Sequence, residues 1–148
     1  MISAIGNDIG NLIKNNNLEF SSDKIKQIIS NFIFPEYEKY LKDGETRIKI
    51  FENEKLDIYL IVWNISEISK IHDHSKNGCW IKVLKGFLIE NRYNQKLEPT
   101  KISFFKQNDI SFMKNDLGYH NIENVGNEVA ISLHFYSPPG HETIYFEK

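Results

Sequence analysis

The chain has 148 residues, 41% hydrophobic and 26% charged, with a formal net charge of −2. That length suits one domain with a real core, and a pI near 6.2 gives no electrostatic basis for binding nucleic acid or an anionic membrane. The single cysteine excludes an internal disulfide and fits a reducing compartment. No apolar run is long enough to span a bilayer, and the first residues lack a basic, apolar leader pattern, so a cytoplasmic protein is expected.

The first part of the chain reads as helical. In "MISAIGNDIGNLIK", Ile2, Ile5, Ile9, Leu12 and Ile13 recur at near-helical spacing. "SSDKIKQIISNFIF" repeats the pattern with Ile25, Ile28, Ile29 and Phe32 behind a Ser/Asp start signal. "PEYEKYLKDG" opens with Pro35 at a first helical position and stops at Asp43-Gly44. Residues 1–43 are therefore predicted to be helical and residues 44–148 to form a β-barrel, within one domain spanning 1–148.

Beyond residue 43 the pattern changes. "TRIKIF", "LDIYLIVWN", "WIKVLKGFLIENRY", "TKISFF", "DISFM" and "EVAISLHFY" are β-branched and aromatic, with turn residues between them. Short strands without intervening helices predict a sandwich or small barrel, with an open α+β sheet as the alternative. In "EVAISLHFY", Val129, Ile131, Leu133 and Phe135 share one face, while Ala130, Ser132, His134 and Tyr136 share the other. That polar face is either solvated or part of a site. The chain has only two arginines, Arg47 and Arg92, so each stands out in a lysine-rich sequence.

"KIHDHSKNGCW" places His72 and His74 one residue apart and Cys79 five residues later. On a strand, both imidazoles would face one way and Asp73 the other, which is a chelating arrangement but a weak signal alone. Gly86 follows, and "HNIEN" then supplies His120 with Asn124 four residues on. This layout resembles the cupin superfamily, whose motifs are His-x-His…Glu…Gly and His-x-x-x-Asn. The likeness is loose at "NDLGYH". It implies a mainly β jelly-roll barrel with the N-terminal helices outside it and a metal within, held by His72, His74 and His120. Cys79 stands where most cupins carry a glutamate ligand. By coordination chemistry alone, three imidazoles suit zinc as well as ferrous iron.

One group of cupins shows that replacement. "IHDHSKNGCWIKVLKGFLIE" and "SLHFYSPP" resemble the motifs of the cysteine dioxygenase family, and "ETRIKIF" matches the position of its substrate-binding arginine, with Arg47 lying 25 residues before His72. The likeness covers about residues 44–139. It implies an Fe(2+)-dependent oxidation of L-cysteine by O2 to cysteine sulfinic acid, with no organic cofactor. Separately, a monomer is expected. The likeness also implies the site roles. Arg47 binds the substrate carboxylate; Ser132, His134 and Tyr136 form a relay; and Cys79 can link to Tyr136 through a thioether. The related mercaptopropionate dioxygenases carry Gln where Arg47 stands. The 2-oxoglutarate oxygenases use His-x-Asp, whereas position 74 is His. Departures include Glu45 in place of a family tyrosine, where a carboxylate is expected to line or rim the pocket, and Gly78 before the cysteine. The chain also ends twelve residues past Tyr136, without the long extension that covers the animal site. His141 reads as a solvated loop residue. Two other functions stay open: oxidation of another small thiol (3-mercaptopropionate or an N-terminal cysteine), and a non-enzymatic metal- or ligand-binding cupin.

Overall fold

The computed structural model describes residues 1–15, 18–114 and 118–147. Helices α1 (Ile2–Asn15) and α2 (Leu18–Asn31) are followed by a 3-10 segment, Pro35–Tyr40. Ten strands follow among the described residues: β1 (Arg47–Glu52), β2 (Asp57–Trp63), β3 (Ile71–His72), β4 (Gly78–Lys85), β5 (Leu88–Tyr93), β6 (Pro99–Phe105), β7 (Ile110–Met113), β8 (Tyr119–Glu123), β9 (Ala130–Ser137) and β10 (Tyr145–Phe146). They form two five-stranded sheets, ordered β1-β2-β9-β4-β7 and β10-β3-β8-β5-β6. Their ladders are antiparallel. The mainly β architecture with N-terminal helices is the one the sequence implies. The third helical stretch differs: it is a single short 3-10 segment, because six residues starting at a proline offer too few hydrogen bonds to nucleate an α-helix. Of the predicted 1–43 helical range, residues 16 and 17 lie outside those described, as do 115–117 of the loosely matched "NDLGYH".

The helices cover the outer face of the first sheet. Ile2, Ile5 and Ile9 of α1 and Ile25 and Ile29 of α2 are buried against Ile48, Ile58, Leu60, Leu133 and Phe135. Each fully buried isoleucine contributes about 1.5–3 kcal/mol, so this layer stabilises the sheet that carries half the site. A buried lysine ties the two together. Lys82, on β4, donates to the carbonyls of Ile29, Ser30 and Phe32 at 2.9, 3.2 and 2.6 Å. Helix ends leave such carbonyls without intrahelical partners, and the ammonium satisfies three at once.

A second, smaller apolar cluster lies between the sheets: Trp63, Cys79, Ile81, Val83, Leu88, Ile122 and Ala130. The β4–β5 turn closes tightly on β9. Gly86 has φ +81°, and a Cβ there would lie 2.9 Å from the Ala130 Cα, so only glycine fits.

Candidate metal and substrate site

β9 is flanked by β2 and β4 on both edges and is buried almost throughout. Its apolar face meets the helices, so Ser132, His134 and Tyr136 face the space between the sheets. The two readings of that polar face are thereby separated: it is interior, not solvated.

His72, His74 and His120 come together on the opposite sheet. His72 pairs with His120 across β3 and β8. Their ring centroids are 4.6 Å apart, and His74 lies 4.2 Å from His120 and 6.0 Å from His72. The expected strand geometry does not produce this meeting, since β3 ends at His72 and His74 reaches the cluster from the following loop. Among the described residues no three His, Cys, Asp or Glu side chains already surround one point. His72 and His120 converge, and His74 flanks them.

Hydrogen bonding decides what that pair can accept. His72 Nδ1 lies 2.7 Å from the Lys70 carbonyl, which only accepts, so Nδ1 carries the proton. His120 Nδ1 lies 2.7 Å from a Glu90 carboxylate oxygen. Burial alone would raise the Glu90 pKa, but His120, Arg92 and Ser111 bring it down to about 2; the carboxylate is ionised and Nδ1 is again the donor. Burial, with His120 beside it, holds the His72 imidazolium down to about 4, so His72 is neutral near pH 7. His72 Nε2 therefore presents its lone pair toward His120 Nε2, 3.0 Å away. An ion bound here would be held by these Nε2 atoms in place of their direct contact. Burial, then His120 and His72, also drives the His74 imidazolium strongly down. Three clustered imidazoles suit a divalent transition metal.

The β9 side chains form a hydrogen-bonded chain. Trp63 Nε1 donates to Ser132 Oγ at 2.9 Å. Ser132 Oγ lies 2.7 Å from His134 Nε2, and the Tyr136 hydroxyl lies 3.1 Å from His134 Nδ1. Burial, with His120, Arg47 and His72, holds His134 well below its ordinary range. Its single proton can sit on either nitrogen, and moving it reverses the chain. With Ser132 donating to Nε2, Nδ1 donates to Tyr136 and frees the phenol proton for the pocket. Burial, reinforced by Cys79, raises the Tyr136 pKa strongly, so the phenol keeps its proton.

Cys79 is directly opposite Tyr136 in the β4–β9 ladder. Its thiol is fully buried; burial first, then Glu90 and Asp57, pushes the thiol up. Gly78 has φ +122°, and a Cβ there would meet Phe112 at 2.6 Å. A histidine at this point would displace that ring.

Arg47, at the start of β1, stacks over Tyr59 at 3.9 Å and lies 5.7 Å from the Tyr136 ring centre. Burial would lower its pKa, but Tyr136 and Tyr59 outweigh it, so the guanidinium is a fixed cation. It borders an opening of about 300 Å³ shared with Trp63, His72, His134, Tyr136 and His141. Glu45 is exposed and is not among the residues bordering that opening, contrary to expectation. The ring beside Arg47 comes instead from Tyr59, on the neighbouring strand.

His141 also departs from its expected place. It is partly buried and its Nε2 donates to Asp73 Oδ1 at 3.0 Å. The same oxygen accepts from the Ile144 backbone at 2.9 Å, and Asp73 N donates to the Ile144 carbonyl at 3.1 Å. Asp73 therefore ties the C-terminal segment to the loop between His72 and His74, which puts His141 on the pocket wall. Glu90, Trp63, Asp73 and His141 were all missed as site residues. For Glu90 a signal existed, since it alternates with Leu88 on one face of β5 and is thus an ionisable group on an inward face. Asn124 is a turn staple: its amide donates to the carbonyls of Trp63, Asn64 and Glu128.

The cysteine dioxygenase type I family model matches residues 17–148. The chain is 36% identical over 95 residues to cysteine dioxygenase type 1 of Danio rerio and 33% identical over 94 residues to that of Homo sapiens, in each case 59% of this chain and 47% of the relative. It thus spans about half the length of the curated relatives it matches. Among solved structures, a Klebsiella pneumoniae protein with a double-stranded β-helix domain superposes with a TM-score of 0.61 at 20% identity, over 75% of this chain and 94% of that one. A Bacillus halodurans protein gives 0.65 at 15% identity, over 76% and 84%. These two likenesses concern the fold. With a family match over nearly the whole chain, the protein belongs to the cysteine dioxygenase type I family.

Proposed function

We propose that this protein is an iron-dependent thiol dioxygenase that converts L-cysteine to cysteine sulfinic acid in a reducing cytoplasm. The observation that carries the reading is the gathering, between the two sheets, of three clustered imidazoles, a buried Ser-His-Tyr chain and a thiol opposite its tyrosine, with the Arg47 cation at the edge of the opening. His72, His74 and His120 would hold Fe(II). When bound, the ion supplies the acidity that deprotonates a coordinated thiol and the means for both atoms of O2 to reach sulfur, the second rung of the thiol oxidation ladder.

The protein's own groups position and protonate. Arg47 pairs with the substrate carboxylate through its planar fork, a geometry lysine lacks. The Tyr136 hydroxyl stands between Arg47 and His134 and donates a hydrogen bond toward the reacting sulfur and oxygen atoms. His134 holds the phenol oxygen, and Ser132, oriented by Trp63, holds His134. Ile61, Trp63 and Ile122 border the opening and limit water. A Cys79–Tyr136 thioether would lock the phenol; the S–H and a ring C–H are lost, an S–C bond forms, and O2 takes up the two electrons and two protons.

The test is oxygen uptake by iron-loaded protein with a panel of small thiols. Cysteine-dependent uptake with sulfinic acid as product is expected. Faster uptake with 3-mercaptopropionate than with cysteine would reassign the substrate, and no thiol-dependent uptake would reject the enzyme.

A further inference from the structure

Arg92, the second of the chain's two arginines, has no part in the proposed chemistry, yet it is held by a buried, directional network. Its Nε lies 3.0 Å from Glu90 Oε1. Its Nη2 donates to the Phe112 carbonyl at 2.7 Å and to Ser111 Oγ at 3.3 Å. The Ser111 hydroxyl donates in turn to the same Glu90 oxygen at 2.9 Å. The carboxylate is therefore divided: Oε1 takes Arg92 and Ser111, and Oε2 is left for His120 Nδ1 at 2.7 Å. Glu90 is only 2% exposed. In such surroundings charges act strongly on their neighbours.

This arrangement bears on an imbalance. With Cys79 where most cupins carry a carboxylate ligand, the three imidazoles supply no negative charge to an ion. Glu90 supplies one at a single remove, since a carboxylate accepting from a ligand imidazole raises the basicity of that ligand. Arg92 and Ser111 withdraw part of it.

Resting on the metal-binding reading above, we infer that Arg92, acting through Glu90 and His120, sets the charge delivered to the metal and so its preference between ferrous and ferric states. Both are positioning residues. The sign follows from electrostatics. Removing the Arg92 cation leaves more negative charge on Glu90, which favours the more highly charged ferric ion. Neutralising Glu90 does the reverse.

The test uses full-length iron-loaded protein. Its readouts are ferrous affinity, by competition with a chelator, and the ferric/ferrous midpoint potential. Arg92→Met is expected to raise the preference for ferric over ferrous iron about tenfold, a fall in potential of about 59 mV for a one-electron couple. Arg92→Lys, which keeps the charge, should stay within about threefold of wild type. Glu90→Gln should move the potential the opposite way and weaken ferrous binding about 10- to 100-fold. Ser111→Ala removes one donor with little change in volume; should the charge variants not fold, it still shifts the potential in the Arg92→Met direction by about threefold. Unchanged potentials in the folded variants, or Arg92→Met and Glu90→Gln moving together, would overturn the inference. Iron binding without thiol oxidation would reject the proposed function and leave this test standing; absence of iron binding would reject both.

Discussion

Cys79 and Tyr136 are direct partners across adjacent strands, both packed into the interior between the sheets. The β4–β9 register makes them direct partners, and directly opposed residues of an antiparallel pair project to the same face. The burial that brings them together also keeps the thiol protonated, and a protonated thiol is a poor nucleophile. Protein expressed without turnover should therefore be largely unlinked. Intact-mass measurement after turnover with iron, O2 and cysteine should show loss of two hydrogens in part of the population. Tyr136→Phe should abolish that loss and reduce activity. Cys79→Ser should abolish the loss and keep part of the activity. A mass loss that survives in either variant would place the link elsewhere.

Arg47 offers the fixed cation at the pocket. Arg47→Ala or Arg47→Gln should leave iron content near wild type and reduce kcat/KM for cysteine about 10- to 150-fold, the loss of a charge-assisted pair of about 1.5–3 kcal/mol. Unchanged kinetics would put Arg47 outside the substrate's reach.

Lys82 satisfies three carbonyls at the end of α2. Lys82→Met keeps the aliphatic stem and removes the donors, and should destabilise the metal-free protein by about 1.5–3 kcal/mol. Urea unfolding measures this. A midpoint equal to wild type would show that water replaces the ammonium at no cost.

His134 gives a signed pH dependence. Its folded pKa lies well below the ordinary 6.5, chiefly through burial. Below about pH 6.5 the unfolded chain takes up a proton that the folded chain refuses, so stability falls as pH drops, by up to about 1.4 kcal/mol per pH unit from this group. Above 6.5 both states are neutral and its contribution is flat. The wild-type stability curve of metal-free protein between pH 7 and 5 should thus be steeper than that of His134→Gln, by about 1 kcal/mol per pH unit on average. Parallel curves would mean that His134 takes a proton in the folded state.

Long, regular elements were legible in the sequence, and the site was legible only in outline. The strands of β1, β2, β4, β5, β6, β7 and β9 follow from alternation and β-branched content. The two-residue strands β3 and β10 carry no period to read, and polar residues interrupt the apolar pattern of β8, "YHNIE". These three form one side of the second sheet, next to the histidines. Alternation along β9 separates two faces but does not say which is wet; that depended on β2 and β4 flanking it and the helices covering its apolar side. His141 looks solvated in sequence because its partner, Asp73, is 68 residues away. Arg92 was conspicuous by rarity alone, and its meaning came from Ser111 and Phe112 on β7 in the other sheet.

The central claim is that both atoms of one O2 molecule are transferred to the sulfur of cysteine at this site. Turnover of iron-loaded protein with L-cysteine under isotopically labelled O2, followed by mass spectrometry of the product, tests it directly. The account predicts cysteine sulfinic acid carrying label in both new oxygens, with one O2 consumed per product. Cystine with hydrogen peroxide, sulfinic acid with oxygen drawn from water, or no cysteine-dependent oxygen uptake by iron-loaded protein would contradict it.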